Sequence, residues 1–447
     1  MSLASKVGKP LRAAALLTAV ALLPATTVGF AQVEGRVSPE FAKLFATYQR
    51  IKASYVEPVE DEVLIRGAID GMLAALDPHS AFLDGAALER LETMIDGNYQ
   101  GLGISVQMDD GAVKVVSPFK GSPADKAGIK AGDYITHIDG KLIYGLELDE
   151  AVKQMRGVAG TSIRLTIFRS GREEPFDVDV MRGVIELEPV TFELKPGRIG
   201  YISVNEFSRD VGVDVNGALA DLRKQAGGNL AGLVLDMRKN PGGSLDEAVA
   251  LSDLFLAKGQ IVSQRGRNAR DTVYYEAEKY YPGDVAAGVP MIVLIDAGSA
   301  SASEIVAGAL QDQRRAIVMG ERSFGKGSVQ TLLPLTRDSA LKLTTARYYT
   351  PSGRSVQEGG IEPDIRVPQL SDPDAAKRRI VLRESDLRGH LVNEIGLEDK
   401  ALEADRLDDP RFQLTAEQLK EQGVEDFQLD YALRTLRRAG STVIARN

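Results

Sequence analysis

The hydrophobic periodicity of this 447-residue chain changes twice, and those changes constrain its fold more than any other feature. Apolar residues recur at helical spacing after Ser38 and alternate with polar residues from Gln100. After about residue 186, strand-like runs alternate with helical runs. The chain also exceeds the ~250–300 residues that one hydrophobic core can serve. The sequence therefore predicts a multidomain α/β protein.

The first periodic region, residues 32–97, is predicted to be helical. Ser38-Pro39 is typical of a helix start, because the serine hydroxyl caps free N–H groups and proline suits the first turn. Two further amphipathic helices are expected near residues 63–76 and 86–95. Such a helical bundle packs on a neighbour or forms the arm of a dimer, and packing is the simpler expectation.

Residues 98–185 predict a compact β-rich domain. It begins with Gly101–Ile104, a Gly-Leu-Gly-Ile segment that has the pattern of a glycine loop entering a strand. Strands and short helices are expected to alternate through the rest of the domain: strands at 112–116, 134–138, 162–168 and 175–180, and helices at 124–127 and 148–155.

Residues 186–370 predict an α/β domain, because alternating strands and helices produce a sheet covered on both faces. The expected elements are strands at 199–204, 232–235, 291–295 and 316–319, and helices at 213–224, 244–256 and 301–312. The tail, residues 371–447, is charged and ends in an amphipathic helix that carries Leu433 and Leu436. We expect this helix to dock on the core or on another subunit.

Composition excludes several chemistries. The chain has no cysteine, which removes thiol catalysis, disulfides and thiolate zinc sites. Its three histidines, His79, His137 and His390, lie far apart in sequence, so a histidine-based triad or metal cage has little to draw on. We interpret His79 as a structural turn residue and predict no metal and no cofactor. The net charge of -9 argues against nucleic acid as the main partner.

The first 31 residues have the features of an export signal. Lys6, Lys9 and Arg12 give a positive start, and an apolar stretch covers residues 13–28. Small residues then stand at the -3 and -1 positions of a cleavage site after residue 31. The alternative is an uncleaved inner-membrane anchor, because the apolar stretch approaches the ~17–20 residues that span a bilayer. Either arrangement places the body of the protein outside the cytoplasm.

Ser301 is the first candidate for catalysis. Residues 294–305 run from an apolar strand through small residues into a helix, and Ser301 stands at the helix start. Free N–H groups and the partial positive charge of a helix N-terminus suit acyl transfer. The structural alternative is a capping box formed by Ser301 and Glu304, and the local pattern alone favours it.

Lys326 is the second candidate. Residues 320–327 nearly match a phosphate-binding loop, but Gly327 lacks the required hydroxyl and a β-prone segment follows, so a nucleotide site is disfavoured. Burial would lower the lysine pKa from ~10.4 toward neutrality and let the amine take a serine proton. Gln330, four residues on, could hold that amine in position. The alternative is a surface lysine on a glycine-rich turn.

The third segment, residues 233–243, is a strand followed by a turn of Asn-Pro-Gly-Gly before a helix. Gly243 could present a bare N–H to an oxyanion, with the N–H of Ala302 as its partner. Taken alone, this segment is better explained as a plain turn.

Together these segments resemble the carboxy-terminal processing peptidases, peptidase family S41. The motifs are S-A-S-A-S-E-I, F-G-K-G-S-V-Q and D-M-R-K-N-P-G-G at residues 299–305, 324–330 and 236–243. L-D-P-H-S at 76–80 and Y-Y-T-P-S-G-R-S at 348–355 also match. The similarity covers nearly everything after the signal.

The resemblance implies a serine endopeptidase. Ser301 would be the nucleophile, Lys326 the general base and Gln330 the residue that positions it. Gly243 and Ala302 would form the oxyanion hole. Residues 186–370 would then form a protease core similar to the αβ fold of the ClpP and crotonase class.

The resemblance also implies that residues 98–185 form a PDZ domain. Its loop of Gly101, Leu102, Gly103 and Ile104 would bind the C-terminal carboxylate of a substrate, and the domain would gate the active site. Relatives act on exported proteins with exposed C-termini, sometimes through a helical-repeat adaptor. A periplasmic location and a homo-oligomer are therefore expected.

A non-catalytic scaffold is the rival hypothesis. In it, a PDZ module on a dead hydrolase fold would only bind exposed C-termini. The joint presence of Ser301, Lys326 and Gln330 discriminates against it, because an inactive relative would be free to lose them.

Overall fold

The computed structural model describes residues 38–109, 111–146, 148–172, 174–186, 188–371, 383–394, 412 and 414–444. The predicted signal, residues 1–31, lies outside this part of the chain. None of the helices in the described ranges is long and apolar enough to cross a membrane. The chain divides into two compact units with the boundary between Ala68 and Ile69.

The predicted N-terminal helices are confirmed, with α1 at Pro39–Ser54 and α2 at Asp61–Ala74. The Ser38 hydroxyl accepts a hydrogen bond from the N–H of Phe41 at 3.2 Å, as a helix cap should. No residue of α1 is buried, and the Phe41 ring is 59% exposed. Among the described residues, the apolar side of α1 is therefore exposed, and its packing on a neighbour or in a dimer arm stays a prediction.

The β-rich domain forms as predicted. Two elements precede the domain, β1 Ala81–Asp84 and α3 Gly85–Asp96. The domain itself contains β2 Asn98–Gly101, β3 Ile104–Asp109, β4 Ala112–Pro118, α4 Pro123–Lys126, β5 Tyr134–Ile138, β6 Lys141–Leu142, α5 Leu148–Met155, β7 Ser162–Phe168, β8 Phe176–Met181 and β9 Gly183–Glu186. The main sheet has the order β3-β4-β5-β7-β8 and its own core around Val113, Ile135 and Leu165. The pair β2 and β9 forms a separate antiparallel ribbon where the domain begins and ends.

The α/β domain contains two sheets. Its elements, followed by the two helices of the tail, are β10 Val190–Lys195, β11 Ile199–Val204, α6 Val211–Gln225, β12 Gly232–Asp236, α7 Leu245–Phe255, β13 Gln260–Gly266, β14 Thr272–Glu276, β15 Met291–Ile295, α8 Ala302–Asp312, β16 Ile317–Gly320, β17 Ser328–Pro334, β18 Ser339–Tyr349, β19 Ile365–Arg366, α9 Ala416–Glu421 and α10 Phe427–Ile444. The larger sheet has the order β10-β11-β12-β15-β16-β19 and is parallel from β11 onward.

Helices cover both faces of the larger sheet. On one face, Leu235 and Val293 lie in a core shared with α6, α7 and α8. On the other face, Val234 and Ile292 pack with Leu436 of α10. The predicted docking of the C-terminal helix is therefore confirmed, and it occurs on the core of the same chain.

The smaller sheet has the order β1-β18-β13-β14, and β17 also pairs with β18. A bulge interrupts the β17–β18 ladder between Val329 and Gln330. The neighbouring strands β12, β15 and β16 of the larger sheet are parallel, so their carboxyl ends lie at one edge. The three candidate segments follow these three strands, and the fold therefore brings them together.

Candidate active site

Ser301 occupies a strained turn between β15 and α8. Its backbone angles are φ 54° and ψ -110°, a conformation that costs a non-glycine residue about 1–3 kcal/mol. A sharp strand-to-helix turn of this kind exposes the nucleophile in α/β-hydrolases. Strain of this size persists only where the surroundings impose it, and here it falls on the serine that the sequence singled out.

The structure distinguishes Ser301 from the serines on either side of it. The Ser299 hydroxyl donates to the carbonyl of Met237 at 2.8 Å, and the Ser303 hydroxyl donates to the carbonyl of Asn240 at 2.9 Å. Both of these side chains are fully buried, whereas Ser301 is only half-buried. Ser301 is therefore the serine of this run that substrate can reach.

Asn240 holds the Asn-Pro-Gly-Gly turn against the Ser301 turn. Its amide donates to the carbonyl of Val204 and accepts from the N–H of Gly242, and its own carbonyl accepts from the N–H of Ala300 at 3.0 Å. Gly242 has φ 106°, and a β-carbon there would lie 2.8 Å from the β-carbon of Ser301. Only glycine allows this close approach.

The N–H groups of Gly243 and Ala302 donate no hydrogen bond to another part of the described chain. Gly243 has φ 141°, and a β-carbon there would lie 2.4 Å from the carbonyl oxygen of Phe207. Two unpaired amides beside the serine are what an oxyanion hole requires. The assignment of these residues to the oxyanion hole stays a prediction.

Glu304 joins the serine turn to the lysine loop. Its carboxylate is fully buried and accepts four hydrogen bonds of 3.0 Å or less, from Ser301 N at 2.7 Å, Ser323 Oγ at 2.6 Å, Gly325 N at 2.7 Å and Lys326 N at 3.0 Å. Burial raises the pKa of Glu304 to about 7, although these hydrogen bonds oppose the rise. The sequence identified Glu304 only as half of a capping box and missed its link to Lys326.

Tyr348 provides a second link between the same two segments. Its hydroxyl lies 3.1 Å from the carbonyl oxygen of Ser301 and also contacts the carbonyl of Lys326. Burial raises the pKa of Tyr348 well above its ordinary value, so the phenol remains a neutral donor. A hydroxyl has one proton and donates to one of these carbonyls at a time.

The amine of Lys326 is desolvated. Burial lowers the pKa of Lys326, and the positive charge of Lys342 lowers it further. Across the ranges that the structure describes, the amine forms no hydrogen bond and no ion pair. Lys326 is thus not the solvated surface lysine of the alternative interpretation, and its environment favours the neutral amine that a general base requires.

Gln330 does not bond to the lysine. Its amide nitrogen donates to Ser328 Oγ at 2.9 Å and to Thr344 Oγ1 at 3.3 Å. Lys326 precedes β17 and a bulge adjoins Gln330, so the two residues do not lie on one regular strand. The predicted positioning role stays a prediction.

The phosphate-loop alternative is wrong, because a strand rather than a helix follows the glycine loop.

His79 forms part of a buried turn, as predicted. The carboxylate of Asp77 accepts hydrogen bonds at 2.8 Å from His79 N, Ser80 N and Ser80 Oγ. Burial opposes ionisation, yet these hydrogen bonds lower the pKa of Asp77. The turn contacts β18, because Ser80 Oγ accepts from the N–H of Thr344. The imidazole has a further partner, Glu384, that the sequence did not reveal.

The glycine loop before β3 is fixed from inside the domain. The carbonyl of Leu102 accepts from Ala124 N at 2.9 Å, and the carbonyl of Gly103 accepts from Phe119 N at 2.8 Å. Gly103 has φ 71°, and a β-carbon there would lie 2.4 Å from the β-carbon of Ser122. Strand β3 pairs only with β4 within the described chain, so one edge is open to an added strand.

Family models match three parts of the chain. Residues 198–367 match peptidase family S41, residues 100–180 match the PDZ domain, and residues 25–87 match the N-terminal domain of the activating protease CtpB. The matched PDZ region contains the glycine loop, and the S41 region contains the three candidate segments.

Curated relatives align over most of their length. The chain is 45% identical to the carboxy-terminal-processing protease of Bartonella bacilliformis over 79% of this chain and 80% of the relative. It is 35% identical to the carboxy-terminal processing protease CtpA of Bacillus subtilis, over 76% and 70% of the two chains. It is 37% identical to CtpB of the same organism, over 78% and 71%.

The fold, the strained serine turn and the open strand edge define a serine peptidase core with a peptide-binding domain. The chain belongs to peptidase family S41, among the carboxy-terminal processing proteases. It is a serine-type peptidase whose PDZ domain binds peptide C-termini. This membership favours an enzyme over the scaffold hypothesis.

Proposed function

We propose that the protein cleaves exported proteins near their C-termini through an acyl-enzyme on Ser301, with Lys326 as the general base. The observation that carries this proposal is the shared carboxylate oxygen of Glu304, which accepts from the backbone N–H of Ser301 at 2.7 Å and of Lys326 at 3.0 Å. One oxygen atom thus binds both the serine turn and the lysine loop and fixes their relative position.

The chemistry follows from the roles of these groups. The neutral amine of Lys326 takes the proton of the Ser301 hydroxyl as its oxygen attacks the scissile carbonyl. The N–H groups of Gly243 and Ala302 stabilise the negative charge that develops on the carbonyl oxygen. The ammonium then protonates the leaving amine, and a water molecule hydrolyses the ester by the reverse proton path.

Gln330 would position the amine once substrate is bound. Its amide nitrogen now bonds Ser328 and Thr344, and Gln330 would exchange these contacts for one to the Lys326 ammonium that forms during the reaction. Catalytic hydrogen bonds in free enzymes are often incomplete and form in the substrate complex.

The test compares cleavage of a partly unfolded protein such as casein by the wild type and three variants. Ser301→Ala and Lys326→Ala should each lower the rate about 10⁴-fold or more. Lys326→Arg should be equally inactive, because arginine stays charged and cannot accept the proton. Circular dichroism should show that all three variants fold.

Two results would refute the assignment. Normal turnover by Ser301→Ala would mean that another nucleophile acts. An active Lys326→Arg variant would mean that the position needs positive charge rather than a base.

The PDZ domain is proposed to gate this site when it captures a substrate C-terminus. Support comes from its connection to the rest of the chain: residues 98–101 and 183–186 pair as a two-stranded ribbon. A domain attached through a two-stranded ribbon and a partly exposed ion pair between Arg156 and Glu89 can move as a unit, in the manner of hinged switches.

A periplasmic location, a homo-oligomer and a helical-repeat adaptor complete the proposal. The positive, apolar and small-residue pattern of the first 31 residues supports export, and the exposed apolar side chains of α1, among them Phe41 and Phe45, support a protein partner for that helix. Cell fractionation tests the location, since recovery of the protein from the cytoplasm would contradict it.

Sedimentation of the Phe45→Glu variant and of the wild type tests the oligomer. The variant should form a weaker oligomer than the wild type.

A further inference from the structure

A buried carboxylate near Lys326 has no role in the mechanism above. Glu384 is fully buried and lies in the segment of residues 383–394, which we call the strap. Its carboxylate lies 2.8 Å from Nε2 of His79 and accepts from Nε2 of Gln357 at 3.0 Å. A charge-bearing side chain is rarely fully buried unless its surroundings require it.

The strap is attached to the residues on both sides of Lys326. On one side, the N–H of Glu384 donates to the carbonyl of Phe324 at 3.2 Å. On the other side, the N–H of Gly327 donates to the amide oxygen of Gln357 at 3.0 Å, and the amide nitrogen of Gln357 donates to Glu384.

Further hydrogen bonds bind Gln357 to the strap. Its amide nitrogen also donates to the carbonyl of Leu391 at 2.8 Å, and its backbone carbonyl accepts from the Asn393 side chain at 2.7 Å. Glu384, Gln357 and the lysine loop therefore form one connected polar network beside Lys326.

Four charged groups face the amine of Lys326, each from a different element. Lys342 of β18 disfavours the ammonium, whereas Glu384 of the strap, Glu304 of α8 and Asp77 before β1 favour it. Glu304 and Asp77 each accept backbone N–H groups and so hold the fold locally. The carboxylate of Glu384 is instead held by side chains, those of His79 and Gln357.

We propose that Glu384, held by His79 and Gln357, is a positioning residue of the active site that screens the Lys326 amine from water and sets the pH above which this amine accepts the serine proton. The proposal rests on the role of Lys326 proposed above. It makes the strap, which follows the S41-matched region in sequence, a part of the catalytic machinery.

Glu384→Gln tests this inference because it keeps the side-chain shape and removes the charge. Without the carboxylate the ammonium form loses a stabilising partner, so the acid limb of the kcat/KM–pH profile should move down by about 0.5–1 pH unit. The plateau rate should fall several-fold, because the network around the loop loses a charged acceptor.

Glu358→Gln is the matched control. Glu358 also binds the strap, through Nε2 of His390 at 2.7 Å and the N–H of Asn393 at 2.8 Å, and its carboxylate is paired with His390. Its acid limb should coincide with that of the wild type. Equal shifts in both variants, or no shift in a folded Glu384→Gln, would overturn the proposal.

Glu384→Asp covers the case in which the glutamine variant fails to fold. Aspartate keeps the negative charge but is shorter by one methylene, so the charge lies farther from the amine. The acid limb should therefore shift to lower pH by less than in Glu384→Gln. An unchanged or upward limb would overturn the proposal. Failure of the dyad itself is distinguishable, because Lys326→Arg would then be active, whereas failure of this inference leaves the dependence on Lys326 intact.

Discussion

Glu304 makes the stability of the protein depend on pH. Its folded pKa is raised to about 7 from an ordinary value near 4.5, so between these values the folded state retains a proton that the unfolded state releases. The stabilising contribution is full below about pH 4.5 and is lost as pH rises through about 7. Its upper limit is about 3 kcal/mol.

We therefore predict a pH-dependent difference between the wild type and Glu304→Gln. The free energy of unfolding of each protein is measured with urea at pH 5 and at pH 8. The difference between wild type and variant should fall by up to ~3 kcal/mol from pH 5 to pH 8. Glu40→Gln, on the exposed side of α1, controls for the loss of one glutamate. A constant difference at both pH values would contradict the burial argument.

At the residue scale, sequence and structure agree best where the signal is local. Ser301 was identified from small residues before a helix, and its positive φ agrees with that choice. The roles of Glu304, Tyr348 and Glu384 were missed, because their partners lie far along the chain, as in the contact of His79 with Glu384 across 305 positions. One sequence carries no record of such contacts.

At the scale of single elements, the periodic pattern predicted the buried strands well. Strands β11 and β15 were found at their observed bounds, because every position of β15 is buried and its run is continuously apolar. Strand β10 was missed although Val190, Phe192 and Leu194 alternate with polar residues, and its burial does not follow that alternation. The two-residue β19 is too short for any pattern to appear.

The glycine loop of the PDZ domain yields a test of peptide capture. Gly103→Ala places a β-carbon 2.4 Å from the β-carbon of Ser122 at a positive φ, so the loop must shift. The affinity for a peptide with a free C-terminal carboxylate should fall about tenfold or more, measured by fluorescence anisotropy. The same peptide with an amidated C-terminus is the control.

Capture and gating can be separated with the same variant. If the domain gates the protease, Gly103→Ala should also slow cleavage of a protein with an exposed C-terminus. Unchanged affinity for the carboxylate peptide would contradict the assignment of the loop. Reduced affinity with unchanged cleavage would contradict gating alone.

The docking of α10 predicts a large loss of stability from one side chain. Leu436 is 3% exposed and packs with Val234 and Ile292 on the sheet. Leu436→Ala should lower the free energy of unfolding by about 2–5 kcal/mol. Arg434→Ala, on the exposed side of the same helix, should cost about 0.5 kcal/mol or less. Equal effects in denaturant unfolding would mean that the helix is not docked.

At the scale of the whole molecule, the account combines parts that are distant in sequence. The lysine loop joins β16 of the larger sheet to β17 of the smaller sheet, the serine turn follows β15, and the strap and the L-D-P-H-S segment contribute Glu384 and Asp77 near the lysine. Periodicity and composition predicted the order of these parts. Their assembly into one site could not be predicted from periodicity, because it depends on tertiary contacts between the two sheets.

The most direct measurement is the rate and position of labelling by a fluorophosphonate, a reagent that reacts with activated serines. The account predicts one adduct, located by mass spectrometry on the peptide that contains Ser301. Replacement of the amine in Lys326→Met should slow labelling about 10³-fold while the protein stays folded. An adduct on another serine, or an equal rate without the lysine, would contradict the claim that the Lys326 amine activates Ser301.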